Sequence, residues 1–114
     1  MTAIKDLQNY LQLVNHNPDA DLERELTGCY IGDLLSWVMA HAFAGCVWIT
    51  IMSNINVAAV ASLTDAACVI MAEGVMPDQD LLDRVKRDDI VLFTSPLSMY
   101  EIAIKVHDAL GQDE

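Results

Sequence analysis

Arg24, Thr27 and Gly28 stand just ahead of a short apolar run, and Gly32 and Asp33 follow it. A guanidinium can meet an anion with paired N–H donors, and a glycine lets another backbone or a ligand come close. A helix opening at Asp33 would add the unpaired N–H groups of its first turn. Further along, Asn54 and Asn56 come directly after the strongest strand-like segment of the chain. In open α/β sheets that position, just past the carboxyl end of a strand, is where ligands commonly sit. Arg24, Thr27, Gly28, Asp33, Asn54 and Asn56 are therefore the candidate ligand-binding residues, and a nucleotide or another small anion is the matching ligand class. The same residues also suit plain structural work: Glu23 and Arg24 as a surface pair, Thr27-Gly28 as a bulge, Asp33 and Asn54 as helix caps. Cys29, directly after Gly28, puts a side chain where a backbone cradle would need open space.

Catalytic patterns are missing from the sequence. A phosphate-binding loop needs clustered glycines ending in Gly-Lys-Ser/Thr, whereas Gly28, Gly32, Gly45, Gly74 and Gly111 are scattered. Ser36, Ser53 and Ser98 have no His and acid nearby in sequence to activate them. His16 reads as a loop residue, and His41 and His107 as helix residues. Cys29, Cys46 and Cys68 lie far apart in apolar stretches and read as small buried thiols; no CxxC or HxxxH spacing suggests a metal. The chain thus reads as non-catalytic, with no catalytic residue, no metal ligand and no cofactor expected.

Charge narrows the partners. Six Lys and Arg face seventeen Asp and Glu, a net charge of −11, and Arg84, Lys86 and Arg87 sit among Asp83, Asp88 and Asp89. Nucleic acids and anionic membranes need clustered cations, so both are poor partners. No charge occurs from Leu34 to Thr64, yet His41, Gly45, Ser53, Asn54 and Asn56 cut that run into pieces too short to cross a bilayer. The amino terminus lacks the apolar core of a secretion signal, so a cytoplasmic location is expected. The length of 114 residues fits one domain, residues 1–114. The 54% hydrophobic content exceeds what so small a monomer comfortably hides, and a homodimer is expected.

The elements that must position these residues alternate. Ile4, Leu7, Leu11 and Val14 form one helical stripe, closed by loop chemistry at residues 15–19. A short strand is expected over 26–31, a helix from Asp33 to about 42 with Gly45 at its close, and a strand over 46–52. A helix over 55–63 follows, capped by Ser53 or Asn54, then a strand over 67–72 and a turn over 74–77. Asp78 caps the next helix, residues 90–93 form a strand, and Ser95 with Pro96 opens the last helix. On that helix Met99, Ile102, Ala103, Val106 and Leu110 face inward. Glu101 and Lys105 form an ion pair outside, and residues 108–114 form a solvated acidic tail. Continuous apolar strands between capped helices predict an α/β fold with a mostly parallel sheet of about four to five strands and helices on both faces.

The stretch from Leu22 to Ser36 resembles the signature of DRTGG domains. Arg24, Thr27 and Gly28 match it, while Glu23 replaces its Asp and Cys29 its second Gly. Asp33-Leu34-Leu35-Ser36, Val38-Met39, Trp48-Ile49-Thr50, residues 54–61, residues 94–98 and Glu101-Ile102-Ala103 fit in order, so the resemblance covers about residues 20–110. It implies a fold similar to the amino-terminal domain of HPr kinase/phosphorylase, without the separate domain that carries the kinase activity. Such domains also stand beside CBS domains in regulatory pyrophosphatases and ahead of some phosphotransacetylases, and alone in anaerobic bacteria and archaea. The resemblance therefore implies a prokaryotic regulatory or dimerising unit that binds a small ligand or a partner protein. The alternative is a structural dimerisation or interaction subunit of a larger metabolic or redox complex.

Overall fold

The computed structural model describes residues 2–111. In chain order the elements are α1 (Ile4–Leu11), β1 (Val14–Asn15), β2 (Gly28–Ile31), α2 (Leu35–His41), β3 (Cys46–Thr50), α3 (Asn56–Thr64), β4 (Cys68–Met71), α4 (Gln79–Arg87), β5 (Leu92–Thr94) and α5 (Met99–Gly111). One sheet of five strands runs in the order β1-β5-β4-β3-β2. β2, β3, β4 and β5 are parallel, and β1 joins the β5 edge antiparallel. The expected α/β architecture is present.

Alternation along the strands builds two cores. Val47, Ile49, Cys68, Ile70 and Phe93 pack with α1 and α5 on one face. Cys46, Trp48, Val69, Met71 and Leu92 pack with α2, α3 and α4 on the other. Three successive strand–helix–strand crossovers step across the sheet in one direction, so their helices share a face. With both faces covered, every residue of β3 and β4 is buried, which is why these strands read as unbroken apolar runs. Among the largest wholly buried side chains is Trp48, whose indole N–H donates to the Gly32 carbonyl at 3.0 Å.

Several local expectations are corrected. Residues 14–15, read as the end of a helix and the start of a loop, form β1; Val14 is exposed there, and α1 ends where Gln12 turns left-handed. Two residues are too few to show alternation. Asp33 does not cap α2: Leu34 holds that position, and the Asp33 carboxylate is turned to β3. Gly45 lies beyond the end of α2 at Ala42 and serves the turn into β3, at φ 81°. The last helix opens at Ser98, not Ser95: Ser98 Oγ accepts the Glu101 N–H at 3.1 Å and the Glu101 carboxylate accepts the Ser98 N–H at 3.3 Å, a reciprocal cap. Glu101 is thus turned toward Ser98, away from the expected pairing with Lys105. The expected tail is helical through Gly111, and residues 112–114 lie outside the described residues.

Candidate functional site

Strand direction splits the six candidate residues. Arg24, Thr27 and Gly28 lie at the amino ends of the parallel strands, whereas Asp33, Asn54 and Asn56 follow β2 and β3 at the carboxyl ends. The four residues of β2 hold the two groups apart by roughly 13 Å, at about 3.3 Å per residue. They do not form one site.

At the amino end each residue fixes a loop. Arg24 is not paired with Glu23. Its two terminal nitrogens meet Asp65 Oδ1 and Oδ2 at 3.0 Å each, and one also donates to the Asp65 carbonyl at 3.0 Å. Glu23 instead takes Lys5 at 2.9 Å, and that hydrogen bond raises the Lys5 pKa. Asp65 is the left-handed residue ending α3, so Arg24 ties the approach to β2 to that helix end. Thr27 donates its hydroxyl to the Ala44 carbonyl at 2.7 Å, and its N–H to the Gly45 carbonyl at 3.0 Å. Gly28 has no positive φ and no bulge: its ladder with β3 starts in register at Cys46. What it needs is space, because a Cβ there would lie 2.9 Å from the Phe43 ring.

Beside Arg24 lies a cavity of about 590 Å³, whose charged lining is Asp19, Asp21, Asp65, Asp88 and Asp89 around that one guanidinium. Asp65 already neutralises Arg24, so the field there opposes a phosphate.

The carboxyl end is held differently. Asp33 Oδ1 accepts the buried Thr50 hydroxyl and the Ile51 N–H, both at 2.8 Å. Thr50 Oγ1 in turn accepts the Met52 N–H at 3.2 Å. Asn54 Oδ1 accepts the Asn56 N–H at 2.9 Å and bends the entry to α3. Backbone bonds then knit the loops after β3, β4 and β5: Asp78 to Ser53 at 3.0 Å, Gly74 to Ser95 at 3.0 Å and Glu73 to Leu97 at 2.8 Å. Ile55, between the two asparagines, borders a hollow of about 230 Å³ along α4 lined by Asp80, Asp83, Arg84 and Arg87. Arg84 and Arg87 are the cations of this lining. Their spacing of three was the signal for a shared helix face, obscured in sequence by the flanking aspartates.

The thiols are suited to burial rather than chemistry. Burial pushes Cys29 up to about 12 and raises Cys46 and Cys68 as well. Among the described residues no group of three His, Cys, Asp or Glu is placed to hold a metal ion, and no helix is long and apolar enough to cross a membrane.

No protein-family model matches the chain, and no curated protein matches it in sequence. In structure it is similar to the CBS and DRTGG domains of the regulatory region of Clostridium perfringens pyrophosphatase, crystallised with the activator diadenosine tetraphosphate. The TM-score is 0.69 at 11% identity, over 95% of this chain and 47% of that one. The chain therefore spans about half the length of that neighbour. A likeness at so low an identity concerns architecture, and by that measure the chain has a DRTGG-like α/β fold.

Proposed function

We propose that the chain is a non-catalytic regulatory module, one domain over residues 1–114, that works as a homodimer in the cytoplasm and responds to a small ligand, a nucleotide being the first class to test. The observation that carries this reading is the structural match of 95% of the chain to about half, 47%, of a chain made of the CBS and DRTGG domains of a regulatory region. The chemistry agrees with it. Thr27 and Asp33 direct their polar atoms at backbone groups of neighbouring segments, and Arg24 is held by Asp65, which is positioning work rather than attack on a substrate. Of the six candidates, Asn54 and Asn56 are the ones proposed to meet a ligand, because they stand past the carboxyl ends of the strands with Arg84 and Arg87 along the adjoining hollow.

A thermal-shift panel of nucleotides tests the reading, with diadenosine tetraphosphate, the activator held by the structural neighbour, among them. A ligand that binds only the folded chain at about 100 times its Kd adds roughly 2.7 kcal/mol, enough to move the melting temperature by several degrees. A flat response across the panel counts against it.

The second reading, an interaction subunit of a larger complex, draws on a specific observation. α2 and the residue before it expose Trp37 and Leu34 to solvent, and Trp37 stacks on His41 with ring centroids 4.2 Å apart. Exposed tryptophans are frequent anchors of protein interfaces. A flat nucleotide panel together with a partner recovered at this face would favour that reading.

A further inference from the structure

The sheet has two edges, and the molecule treats them differently. β1 closes one edge with only two residues. β2 forms the other, with four residues that include no Lys, no Pro and no charge. Short strands, charges, prolines and bulges are the usual means of keeping an edge from pairing, and β2 has none of the last three. Among the described residues the amino-terminal segment covers the approach to it, through the Ala3–Glu25 bridge and the hydrogen bond from Leu26 N to Thr2 O.

We propose that β2 is the seam of the homodimer: two copies pair their β2 strands antiparallel about a two-fold axis and join two five-stranded sheets into one of ten. This rests on the homodimer reading above and adds the surface that makes it.

Charge selects a second copy as the occupant. On a two-fold axis each residue faces its own kind, so any charge near the axis meets its like. The chain carries −11 overall, yet β2 is uncharged, and the groove beside it, about 490 Å³, is lined by Gly28, Cys29, Ile31, Ala103, His107 and Leu110 with Gly111. Among the described residues the lining of the groove holds no carboxylate to attract a basic partner.

Register supports the same occupant. Opposed residues of an antiparallel pair share a face, so the axis must pass through a residue rather than between two. Centred on Tyr30, the pairing sets Ile31 of one copy opposite Cys29 of the other, at the mouth of that groove. Gly28 then meets Gly32, where neither brings a side chain.

Area is sufficient. Ile31 is 44% exposed, Leu34 68%, Trp37 58% and Phe43 40%. At roughly 200 Å² for each side chain this is on the order of 400 Å² from four residues alone, about half of the ~800 Å² that a standard interface buries per partner.

The test compares sedimentation equilibrium of the wild-type chain, Ile31→Lys and Val14→Lys, with circular dichroism to verify folding. Wild type and Val14→Lys, changed at the opposite edge, should be dimers at micromolar concentration, and Ile31→Lys should weaken the dimer at least ten-fold. Hydrogen exchange of the wild-type chain above and below its dissociation concentration decides the matter without any variant: Gly32 N–H is already bonded to Ile49 O, so the outward amides of Cys29 and Ile31 should be the ones that gain protection only in the dimer. A wild-type dimer that Ile31→Lys leaves intact, or whose Cys29 and Ile31 amides exchange alike at both concentrations, overturns the seam and leaves the homodimer standing. A wild-type monomer overturns both and leaves the edge to a strand of a different protein.

Discussion

Arg24 closes on Asp65 across 41 residues of sequence, with both terminal nitrogens on both carboxylate oxygens at 3.0 Å. The cation that the sequence offers to an anion is thus engaged in joining the approach to β2 to the end of α3. The pair is largely exposed, so its contribution is small despite the two-pronged geometry. Arg24→Lys keeps the charge and loses the fork. It should cost no more than about 1 kcal/mol in urea unfolding and leave any nucleotide response unchanged. Loss of that response with folding intact would return Arg24 to the ligand site.

Asp33 is the counterpart at the other end of the sheet. Asp33→Ala leaves the Ile51 N–H and the buried Thr50 hydroxyl without their acceptor, at a cost of about 1–3 kcal/mol. Thr50→Val leaves the Ile51 bond but removes both the donor to Asp33 and the acceptor of the Met52 N–H, so it should destabilise as well. A double-mutant cycle of the two variants by chemical denaturation separates this bridging role from a helix cap: the bridge predicts a clear interaction energy between Asp33 and Thr50, and a cap predicts none.

Two glycines differ in why they are required. At Gly28 an added Cβ meets only the Phe43 ring, which is partly exposed and can swing aside. At Gly45 the added atom would lie 2.7 Å from Thr27 Cγ2, with φ at 81° besides. Gly45→Ala should therefore destabilise by about 1–3 kcal/mol or more, and Gly28→Ala by distinctly less. Thermal unfolding of the two variants reads the difference directly.

The alternation of apolar strands and helices was legible because β3 and β4 are buried on both faces, and a doubly covered strand shows itself as an unbroken apolar run. β1 was not, since two residues carry no period. Two of the expected caps failed for a related reason, whereas Asp78 does hold the position that opens α4. Asp33 and Ser95 are cap-type residues in cap-type positions, but Thr50 and Ile51 lie at the end of the neighbouring strand, β3, and only the folded chain brings them within reach of Asp33. The candidate residues were individually sensible; their division between two ends of the sheet follows from the parallel strands the sequence predicts, since Arg24, Thr27 and Gly28 precede or open β2 while Asp33, Asn54 and Asn56 follow β2 and β3.

His16 supplies a pH dependence. Its ring nitrogen lies 2.8 Å from Thr94 Oγ1, and partial burial lowers its pKa below the ordinary 6.5. Well above that value the imidazole is neutral in both folded and unfolded chains and adds no pH dependence. As pH falls through 6.5 the unfolded chain takes up the proton first, so stability drops until the folded His16 also titrates. His16→Gln should lose this component: the difference between the two stability profiles should be flat above pH 7 and change below about 6.5. Parallel profiles throughout would show that His16 titrates alike in both states.

The regulatory reading is tested most directly by titration calorimetry of the folded chain with the same nucleotide panel, paired with a phosphate-release assay on the same samples. Saturable binding of at least one nucleotide, weakened by Asn56→Ala and accompanied by no phosphate release, is the predicted result. Turnover of a bound nucleotide, or no heat of binding from any of them, would contradict it.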